Sequence, residues 1–409
     1  MTKLDLRKSL KSPGSPPKSE LLFNAVTDAS ASLPSDKRTS KSSEGKPGVP
    51  DTLRKSSKGK VYLGLSGGVD SSVAGYLLKQ AGYDIKAVYL KNWSESSFGN
   101  QCPYLEDLES ARLVAAELGI ELEIWDYQEQ YKKQVFKYMI DTYQAGKTPN
   151  PDIACNQEIK FKMFLKDALK AGADYIATGH YARLGKLNNQ LVIRQGLDPA
   201  KDQSYFLARV DQSKLGKVLL PIGEYTKSEV RAIAGQVGLS TSGRKDSQGL
   251  CFIGEISLVD FMGQYLDSQP GEIIDQDGQV IGQHQGFQYY TIGQRHGLAQ
   301  ESGRKVYVYK IDPDNNQVHV TYEVDSPLLY SQEFLISHLV TSKEIDLTQL
   351  VTDLSVVTRY HDQPIRVLGV ETVDNNWLIR VQSQIRAVTS GQYAVFYHQD
   401  YLVGSGVIC

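Results

Sequence analysis

The chain has 409 residues, a formal net charge of −2 and an ordinary globular composition, with 41% hydrophobic and 22% charged residues. This length predicts two or three domains. No apolar run is long enough to cross a bilayer, so no membrane partner is expected.

Four widely spaced cysteines, with no Cys-x-x-Cys pair, exclude a zinc-ribbon site and a secreted disulfide framework, and they favour a reducing, cytoplasmic location. Net charge alone does not predict a nucleic-acid binder, so any basic groove must be local.

Residues 1–58 are predicted to form a disordered tail rich in Ser, Lys and Pro, because they hold too few large apolar side chains to offset the entropy of ordering. Residues 1–60 contain thirteen Lys and Arg against six Asp and Glu. These acidic residues disfavour an organelle transit peptide, so a dispensable tail or a weak RNA tether is the favoured interpretation.

The first informative stretch joins a short apolar run from Val61 to a helix predicted over Ser71 to Gln80. Gly67 and Gly68 between them allow a tight turn, and the helix start offers free N–H groups to an anion, most naturally a phosphate. The common P-loop pattern is not present. The alternative is a plain strand–turn–helix corner.

Strands and helices alternate from residue 59 to 257, which predicts an α/β domain with a doubly wound parallel sheet. Such sheets bind ligands beyond the carboxyl ends of their strands. The further predicted strands are Asp84 to Leu90, Ile120 to Trp125 and Asp174 to Thr178. The further predicted helices are Leu105 to Leu118, Gln128 to Gln144, Gln157 to Leu169 and, after a capping box, Lys227 to Val237.

After residue 257 the sequence changes to short alternating runs separated by turn signals such as Asp277-Gly278 and Asp374-Asn-Asn376. This pattern predicts two small, mainly β domains, residues 258–325 and 326–409, the last a β-barrel.

The second informative stretch is Asn150-Pro-Asp152-Ile-Ala-Cys155. Two prolines stiffen this predicted loop, and Cys155 is expected where the next helix begins, a position that favours the nucleophilic thiolate. Asp152 could accept a proton or orient a polar substrate. The alternative is a small core cysteine, but a stiff polar loop is a poor place to bury a thiol.

The third stretch places Cys251 between Gly249 and Gly254, with Arg244 and Lys245 nearby to favour a thiolate. A mobile thiol that can meet a second thiol suits a persulfide or disulfide relay. Cys102 and Cys409 lack such settings and are interpreted as structural or incidental.

Several motifs occur together and in order. They are Ser66-Gly-Gly-Val-Asp-Ser71, Asn150-Pro-Asp-x-x-Cys155-Asn, Gly179-His180-Tyr181, Lys201-Asp-Gln-Ser-Tyr-Phe206, Gly249-x-Cys251-Phe-Ile-Gly254, Tyr290-Thr-Ile-Gly-Gln-Arg-His-Gly297, Arg359-Tyr360 and Ala387-Val-Thr-Ser-Gly-Gln392. Over residues 59–409 this set resembles the tRNA-specific 2-thiouridylases of the ATP pyrophosphatase superfamily. These enzymes replace O2 of the wobble uridine with sulfur. Ser390 departs from the proline usual in the family.

The resemblance implies a role for each matching residue. Cys155 would be the nucleophile and Cys251 the persulfide carrier, and the two could form a transient disulfide. The residues implied to bind ATP are Gly64, Leu65, Ser66, Gly67, Gly68, Val69, Asp70, Ser71, Leu90 and Gly179. Those implied to meet the target base are Asn150, Pro151 and Asp152, and those implied to touch tRNA are His180, Lys201, Asp202, Gln203, Arg359, Tyr360 and Gln392.

The implied cofactors are ATP, with Mg²⁺ carried by its phosphates near Asp70 and no dedicated metal site, and a persulfide sulfur donor. The implied partners are the anticodon arm of a tRNA and a cysteine desulfurase or sulfur-relay protein.

Three alternative hypotheses for the function are considered. A lysidine synthetase or amide-forming synthetase would share the ATP loop but need no pair of thiols. A catalytically idle tRNA-binding protein and a redox switch on an ATP-binding protein are the others.

Overall fold

The computed structural model describes residues 50, 53, 58–93, 103–245, 262–298, 304–342 and 345–409. Most of the predicted tail, Cys102 and Cys251 lie outside these residues. Leu53, inside the predicted tail, is only 3% exposed and packs with Tyr83, whose hydroxyl donates to the Leu53 carbonyl oxygen at 3.3 Å. The packed chain therefore includes a residue before position 58, because Leu53 finds an apolar site on the first domain.

The first domain is built on a five-stranded parallel sheet in the order β3-β2-β1-β4-β7. Its elements are β1 (Lys60–Gly64), α1 (Val69–Ala81), β2 (Asp84–Lys91), α2 (Pro103–Leu118), β3 (Glu121–Asp126), α3 (Gln128–Tyr131), α4 (Lys137–Gln144), α5 (Pro151–Cys155), α6 (Leu165–Lys170), β4 (Tyr175–Ala177), β5 (Ala182–Leu187), β6 (Gln190–Gln195), β7 (Val218–Leu219) and α7 (Lys227–Gln236). Two π-helical segments, Lys132–Phe136 and Asn156–Phe164, connect α3 to α4 and α5 to α6. Three short 3₁₀ helices span Ser204–Leu207, Gln212–Lys217 and Ser240–Gly243.

Strand β1 lies at the centre of this sheet and is buried on both faces. Alternate residues of a strand point to opposite faces, so Val61 and Leu63 enter one apolar core while Tyr62 enters the other. The predicted doubly wound α/β fold is confirmed.

One helix boundary differs from the prediction by more than two residues. The helix expected to start at Gln157 begins six residues earlier, at Pro151, so Cys155 lies inside it. The Asn150 side chain caps this helix by accepting from the Ile153 N–H at 3.2 Å, and proline suits the first helical position because no hydrogen-bonded N–H is needed there. The Asn-Pro-Asp run is thus a helix start, not a loop.

The middle domain is a four-stranded mixed sheet in the order β10-β11-β8-β9. Its strands are β8 (Gly271–Asp275), β9 (Val280–His284), β10 (Tyr307–Asp312) and β11 (Gln317–Thr321), with a 3₁₀ turn at Phe287–Tyr289. Ile273, Val308 and Val318 lie in its small separate core.

The last domain is a six-stranded barrel in the order β12-β15-β14-β13-β16-β17, closed by pairing of β17 with β12. Its strands are β12 (Tyr330–Thr341), β13 (Leu354–Val357), β14 (Ile365–Val373), β15 (Asn376–Arg386), β16 (Tyr393–His398) and β17 (Tyr401–Ile408). Short 3₁₀ turns at Pro327–Leu329, Leu347–Gln349 and Val351–Asp353 precede or interrupt them. The predicted β-barrel is confirmed.

The hairpin β5–β6 was not predicted. It belongs to the first domain in sequence, yet β6 pairs with β17 and extends the barrel sheet. Asn188 and Asn189, both with positive φ, form its two-residue turn. Asp400 fixes the contact by accepting from Arg183 and Arg194 at 3.0 and 2.5 Å. The barrel is therefore attached to the first domain by strand pairing and by ion pairs.

We expect Asp400→Asn to lower the free energy of unfolding by about 1–2 kcal/mol, because two partly buried guanidinium groups lose a charged acceptor. Chemical denaturation measures this change. The matched control is Glu333→Gln, which removes an exposed partner of Arg380 and should cost less. Equal losses in the two variants would show that the Asp400 ion pairs do not stabilise the attachment.

Candidate active site

The loop after β1 forms a cradle at the carboxyl edge of the sheet. Gly67 adopts φ +80°, and Gly68 stands at the N-cap of α1 without a side chain to occupy the helix N–H groups. The Ser71 hydroxyl accepts from the Ser66 N–H at 3.2 Å and donates to the Gly68 carbonyl at 3.1 Å, which fixes the curve of the loop. Such a helix start attracts an anion.

Asp70 points into a cluster of polar groups. Its carboxylate accepts from the Lys227 ammonium at 2.8 and 2.9 Å and from the Tyr181 hydroxyl at 2.7 Å. Lys227 is the first residue of α7 and lies 157 positions away in sequence. The cluster therefore holds a cation beside the loop, where a phosphate chain would need one.

Arg244 stabilises the same loop by donating a hydrogen bond to it. Its guanidinium donates to the Gly67 carbonyl at 2.7 Å and to Asp107 at 2.6 Å, and Ser110 also donates to Gly67. Arg244 was expected to favour a Cys251 thiolate. Cys251 lies outside the described residues. The described contacts of Arg244 stabilise the turn, since they hold the carbonyl of the residue with positive φ.

Two more of the residues implied to bind ATP, Leu90 and Gly179, lie at the carboxyl edge of the sheet. Leu90 is next to last in β2 and partly buried. Gly179 follows β4, and a Cβ atom there would lie 2.6 Å from the Ser71 nitrogen. Only glycine allows this close approach to the start of α1.

Asp152 and Cys155 are three residues apart and therefore share a helix face. Cys155 is 6% exposed and packs in the apolar core, contrary to the expected polar setting, because it lies inside the helix. Burial raises the pKa of Asp152, and Lys160 partly offsets that effect. The carboxylate is thus a stronger base than an exposed aspartate.

His180 packs on the π-helical segment that follows α5, with its ring centroid 5.6 Å from that of Phe161 and its Nδ1 2.8 Å from the Thr178 hydroxyl. Burial, and to a smaller extent Lys160, lowers the pKa of His180 well below its ordinary value. A neutral ring can hydrogen-bond to RNA but cannot form an ion pair with phosphate.

The residues predicted to touch tRNA divide into two groups, of which the first supports the chain itself. Asp202 accepts from the N–H groups of Gly196 and Ser204 at 2.8 and 3.0 Å. Gln203 accepts from the Tyr181 N–H at 3.0 Å. Lys201, beside them, is partly buried.

The second group lies where the domains meet. Arg359 donates to the Ile292 carbonyl of the middle domain at 2.8 Å, and Tyr360 packs on Phe206 with ring centroids 4.3 Å apart. Gln392 bonds to the segment before α5. These three side chains therefore join domains, a role the sequence did not reveal.

No group of three or more acidic, His or Cys side chains suited to a metal occurs within the described ranges. Because Asp70 is already held by Lys227, Mg²⁺ would depend mainly on ligands from a nucleotide. In the same ranges, no helix is long and apolar enough to span a membrane.

Three site residues were missed by sequence reasoning. Lys227 was seen only as part of a capping box, Tyr181 only as part of a motif, and Lys160 had no assigned role. The partner of Lys227, Asp70, is far away in sequence, so no local signal could have found the pair. For Lys160, the available signal in the sequence was its position on the helix that is predicted to begin just after Cys155.

Three family models match in succession. They are described as a tRNA methyl transferase HUP domain over residues 59–255, a tRNA methyl transferase PRC-barrel domain over 259–322 and an aminomethyltransferase beta-barrel domain over 331–408.

Relatives align over most of the chain. A tRNA-specific 2-thiouridylase MnmA 1 of Geobacillus kaustophilus is 43% identical, covering 86% of this chain and 95% of the relative. The tRNA-specific 2-thiouridylases MnmA of Bacillus subtilis and Pseudomonas savastanoi are 41% and 44% identical, each covering 85% of this chain and 94% of the relative.

Fold and site together define a nucleotide-binding α/β enzyme of the HUP class that carries two β domains. The domain descriptions mention methyl transfer, whereas the relatives aligned over nearly their whole length are thiouridylases. The chain belongs to the tRNA-specific 2-thiouridylase family.

We expect Gly179→Ala to weaken ATP binding by about tenfold or more, because the added methyl group crowds the Ser71 N–H, and a hydrogen bond to a charged group contributes about 1.5–3 kcal/mol. Calorimetric titration with ATP measures the affinity. Gly235→Ala is the control, since a Cβ there meets nothing within 4 Å. Unchanged affinity in Gly179→Ala would remove Gly179 from the nucleotide site.

Proposed function

We propose that this protein performs ATP-dependent 2-thiolation of the wobble uridine of tRNA. The observation that carries the proposal is the shared location of two groups. Gly179 closely approaches the start of α1 at Ser71, and its neighbour His180 packs on Phe161 in the π-helical segment that continues the helix bearing Asp152 and Cys155. An activated base and a thiol can therefore meet at one edge of the sheet.

In the first step, O2 of the uracil attacks the α-phosphorus of ATP and pyrophosphate leaves. The loop N–H groups and Lys227 are suited to stabilise the departing charge, since donors near developing charge lower the barrier. Mg²⁺ would travel with the phosphates and neutralise part of their charge. Adenylation is needed because a carbonyl oxygen is otherwise a poor leaving group.

Asp152 is suited to accept the N3 proton of the uracil as O2 becomes nucleophilic. The raised pKa of Asp152 is closer to the pKa of the uracil N3–H group than that of an exposed aspartate would be, and this makes general-base catalysis more effective. A wobble base can be splayed from its stack at low cost, so it can reach a carboxylate at the start of a helix.

In the second step, sulfur replaces AMP at C2, by one of two routes. The terminal sulfur of a Cys251 persulfide attacks C2, and the Cys155 thiolate then attacks the Cys251 sulfur and breaks the S–S bond. Alternatively, Cys155 attacks the persulfide first and releases hydrosulfide, which attacks C2. Either route leaves a Cys155–Cys251 disulfide, which a thiol reductant must reduce with two electrons.

A local basic groove supports tRNA as the substrate. It lies on the π-helical segment after α3, on α4 and on the residues that follow α4. It is lined by Lys133, Lys137 and Lys147, and by Asp141, which pairs with Lys137. Tyr138 in the same groove accepts from the Asn150 N–H at 3.5 Å, so the groove borders the start of α5, the helix with Asp152 and Cys155. Phosphates of an anticodon arm would be attracted there.

The sulfur donor is proposed to be the persulfide of a cysteine desulfurase or of a relay protein. Persulfide transfer requires reduced thiols, which favours the cytoplasm over an oxidising compartment.

The test incubates purified protein with ATP, Mg²⁺, a persulfide donor and unmodified tRNA, followed by mass analysis of digested nucleosides. We expect sulfur in place of one oxygen at the wobble uridine, abolished in Cys155→Ser and in Cys251→Ser, with Cys409→Ser as the control. ATP cleavage without thiolated RNA would indicate a different acceptor. No ATP cleavage in the presence of tRNA would favour a binding protein.

Lys160 provides a second test. Its ammonium lowers the pKa of Asp152, so Lys160→Met should raise that pKa further and shift the acidic limb of the thiolation rate to higher pH. The matched control is Lys162→Met, because Lys162 pairs with Glu158 and is exposed. Superimposable pH profiles for the two variants would argue that Asp152 is not the base.

A further inference from the structure

The segment Lys147–Asn150, just before the catalytic helix, depends on other parts of the chain for its hydrogen bonds. Pro149 has no N–H, and Pro151 follows the segment, so few donors are available within it. The Thr148 and Pro149 carbonyls therefore need donors from elsewhere.

Gln392 of the barrel supplies those donors. Its amide nitrogen donates to the Thr148 carbonyl at 3.1 Å and to the Pro149 carbonyl at 2.9 Å. Its amide oxygen accepts from the Asn150 side chain at 3.3 Å. Both N–H groups and the oxygen of one side chain are thus engaged with three consecutive residues.

The contact continues into the helix. Asn150, oriented by Gln392, accepts from the Ile153 N–H at 3.2 Å and so caps α5. Asp152 and Cys155 lie on this short helix. A shift of the Gln392 side chain would therefore move the helix start that carries both groups.

The barrel turn that holds Gln392 is itself fixed. The Ser390 carbonyl accepts from the Thr148 N–H at 2.9 Å, and a Cβ on Gly391 would lie 2.8 Å from the Thr148 oxygen. Nearby, the Tyr205 hydroxyl of the first domain donates to the Tyr393 carbonyl at 3.1 Å. The turn and the segment thus approach as closely as glycine permits.

We propose that Gln392 is a positioning residue of the thiolation reaction, which holds Thr148, Pro149 and Asn150 so that Asp152 and Cys155 meet the activated uridine. The inference rests on the proposed function. It differs from the tRNA contact that family resemblance implies for Gln392, because every polar group of the side chain already has a partner within the protein.

The decisive variant is Gln392→Glu, which keeps the shape but replaces two donors with an acceptor facing two carbonyl oxygens. We expect the single-turnover thiolation rate at saturating tRNA to fall about tenfold or more, since a misplacement of about 1 Å can cost about 100-fold. The dissociation constant for tRNA, from filter binding, should not change.

The matched control is Ser390→Ala in the same turn. Its hydroxyl donates to the Cys409 carbonyl at 2.7 Å, and its backbone carbonyl would still accept from the Thr148 N–H in the variant. Weaker tRNA binding by Gln392→Glu with an unchanged saturating rate would overturn the proposal and make Gln392 a tRNA contact. An unchanged rate and affinity would also overturn it.

A measurement without substrate separates this inference from the proposed function. Amide hydrogen exchange in the peptide over residues 147–155 should be faster in Gln392→Glu than in the wild type and in Ser390→Ala. Unchanged exchange rejects the positioning role even in an active enzyme. Failure of the wild type to thiolate tRNA rejects the proposed function, and the exchange data still decide the role of Gln392.

Discussion

The arrangement of the site depends on one segment that cannot satisfy its own backbone. All three domains contact residues 146–150. Pro313 of the middle domain packs on Gly146, which has φ +69°, and Thr291 of that domain hydrogen-bonds to Thr148 at 3.0 Å. The barrel supplies the remaining partners. Because the segment leads directly into α5, both β domains help to fix the position of Asp152 and Cys155.

Charge is distributed unevenly between the two halves of the site. At the nucleotide loop, Asp70 and Lys227 form a partly exposed pair that could exchange partners with an incoming phosphate. Around α5 and the π-helical segment that follows it, burial disfavours charged groups. The pKa of Asp152 is therefore raised, and that of His180 is lowered so that its ring is neutral. Lys160 lowers the pKa of both groups. In the proposed reaction, pyrophosphate would therefore leave in polar surroundings and sulfur would be transferred in drier ones.

Much of the fold followed from local pattern, since strand runs, capping boxes and turn pairs are short-range signals. The parallel sheet and the turn at Asp374 are examples. Long-range contacts could not be predicted in this way. Nothing near Gln392 in sequence indicates that its partner lies about 240 positions earlier. The burial of Cys155 depends on where its helix starts. The Asn150-Pro151 pair begins that helix, but the same pair is equally typical of a loop. The ordered motifs identified the family. Several residues that the resemblance assigns to tRNA also make contacts within the chain, as Asp202, Arg359 and Gln392 do.

The hairpin β5–β6, which the sequence did not predict, connects the loop at Ser66–Ser71 to the barrel. Tyr181 holds Asp70 through its hydroxyl and Gln203 through its backbone, and β5 begins at the next residue. That strand and its partner then join the barrel sheet, where Asp400 binds Arg194. A displacement of the barrel would thus be transmitted along one short, hydrogen-bonded ribbon to the Asp70 carboxylate, and through Gln392 to the thiol helix. The barrel is thus linked to α5 through Gln392 and to Asp70 through the hairpin, although these residues are spread over more than 300 positions of sequence.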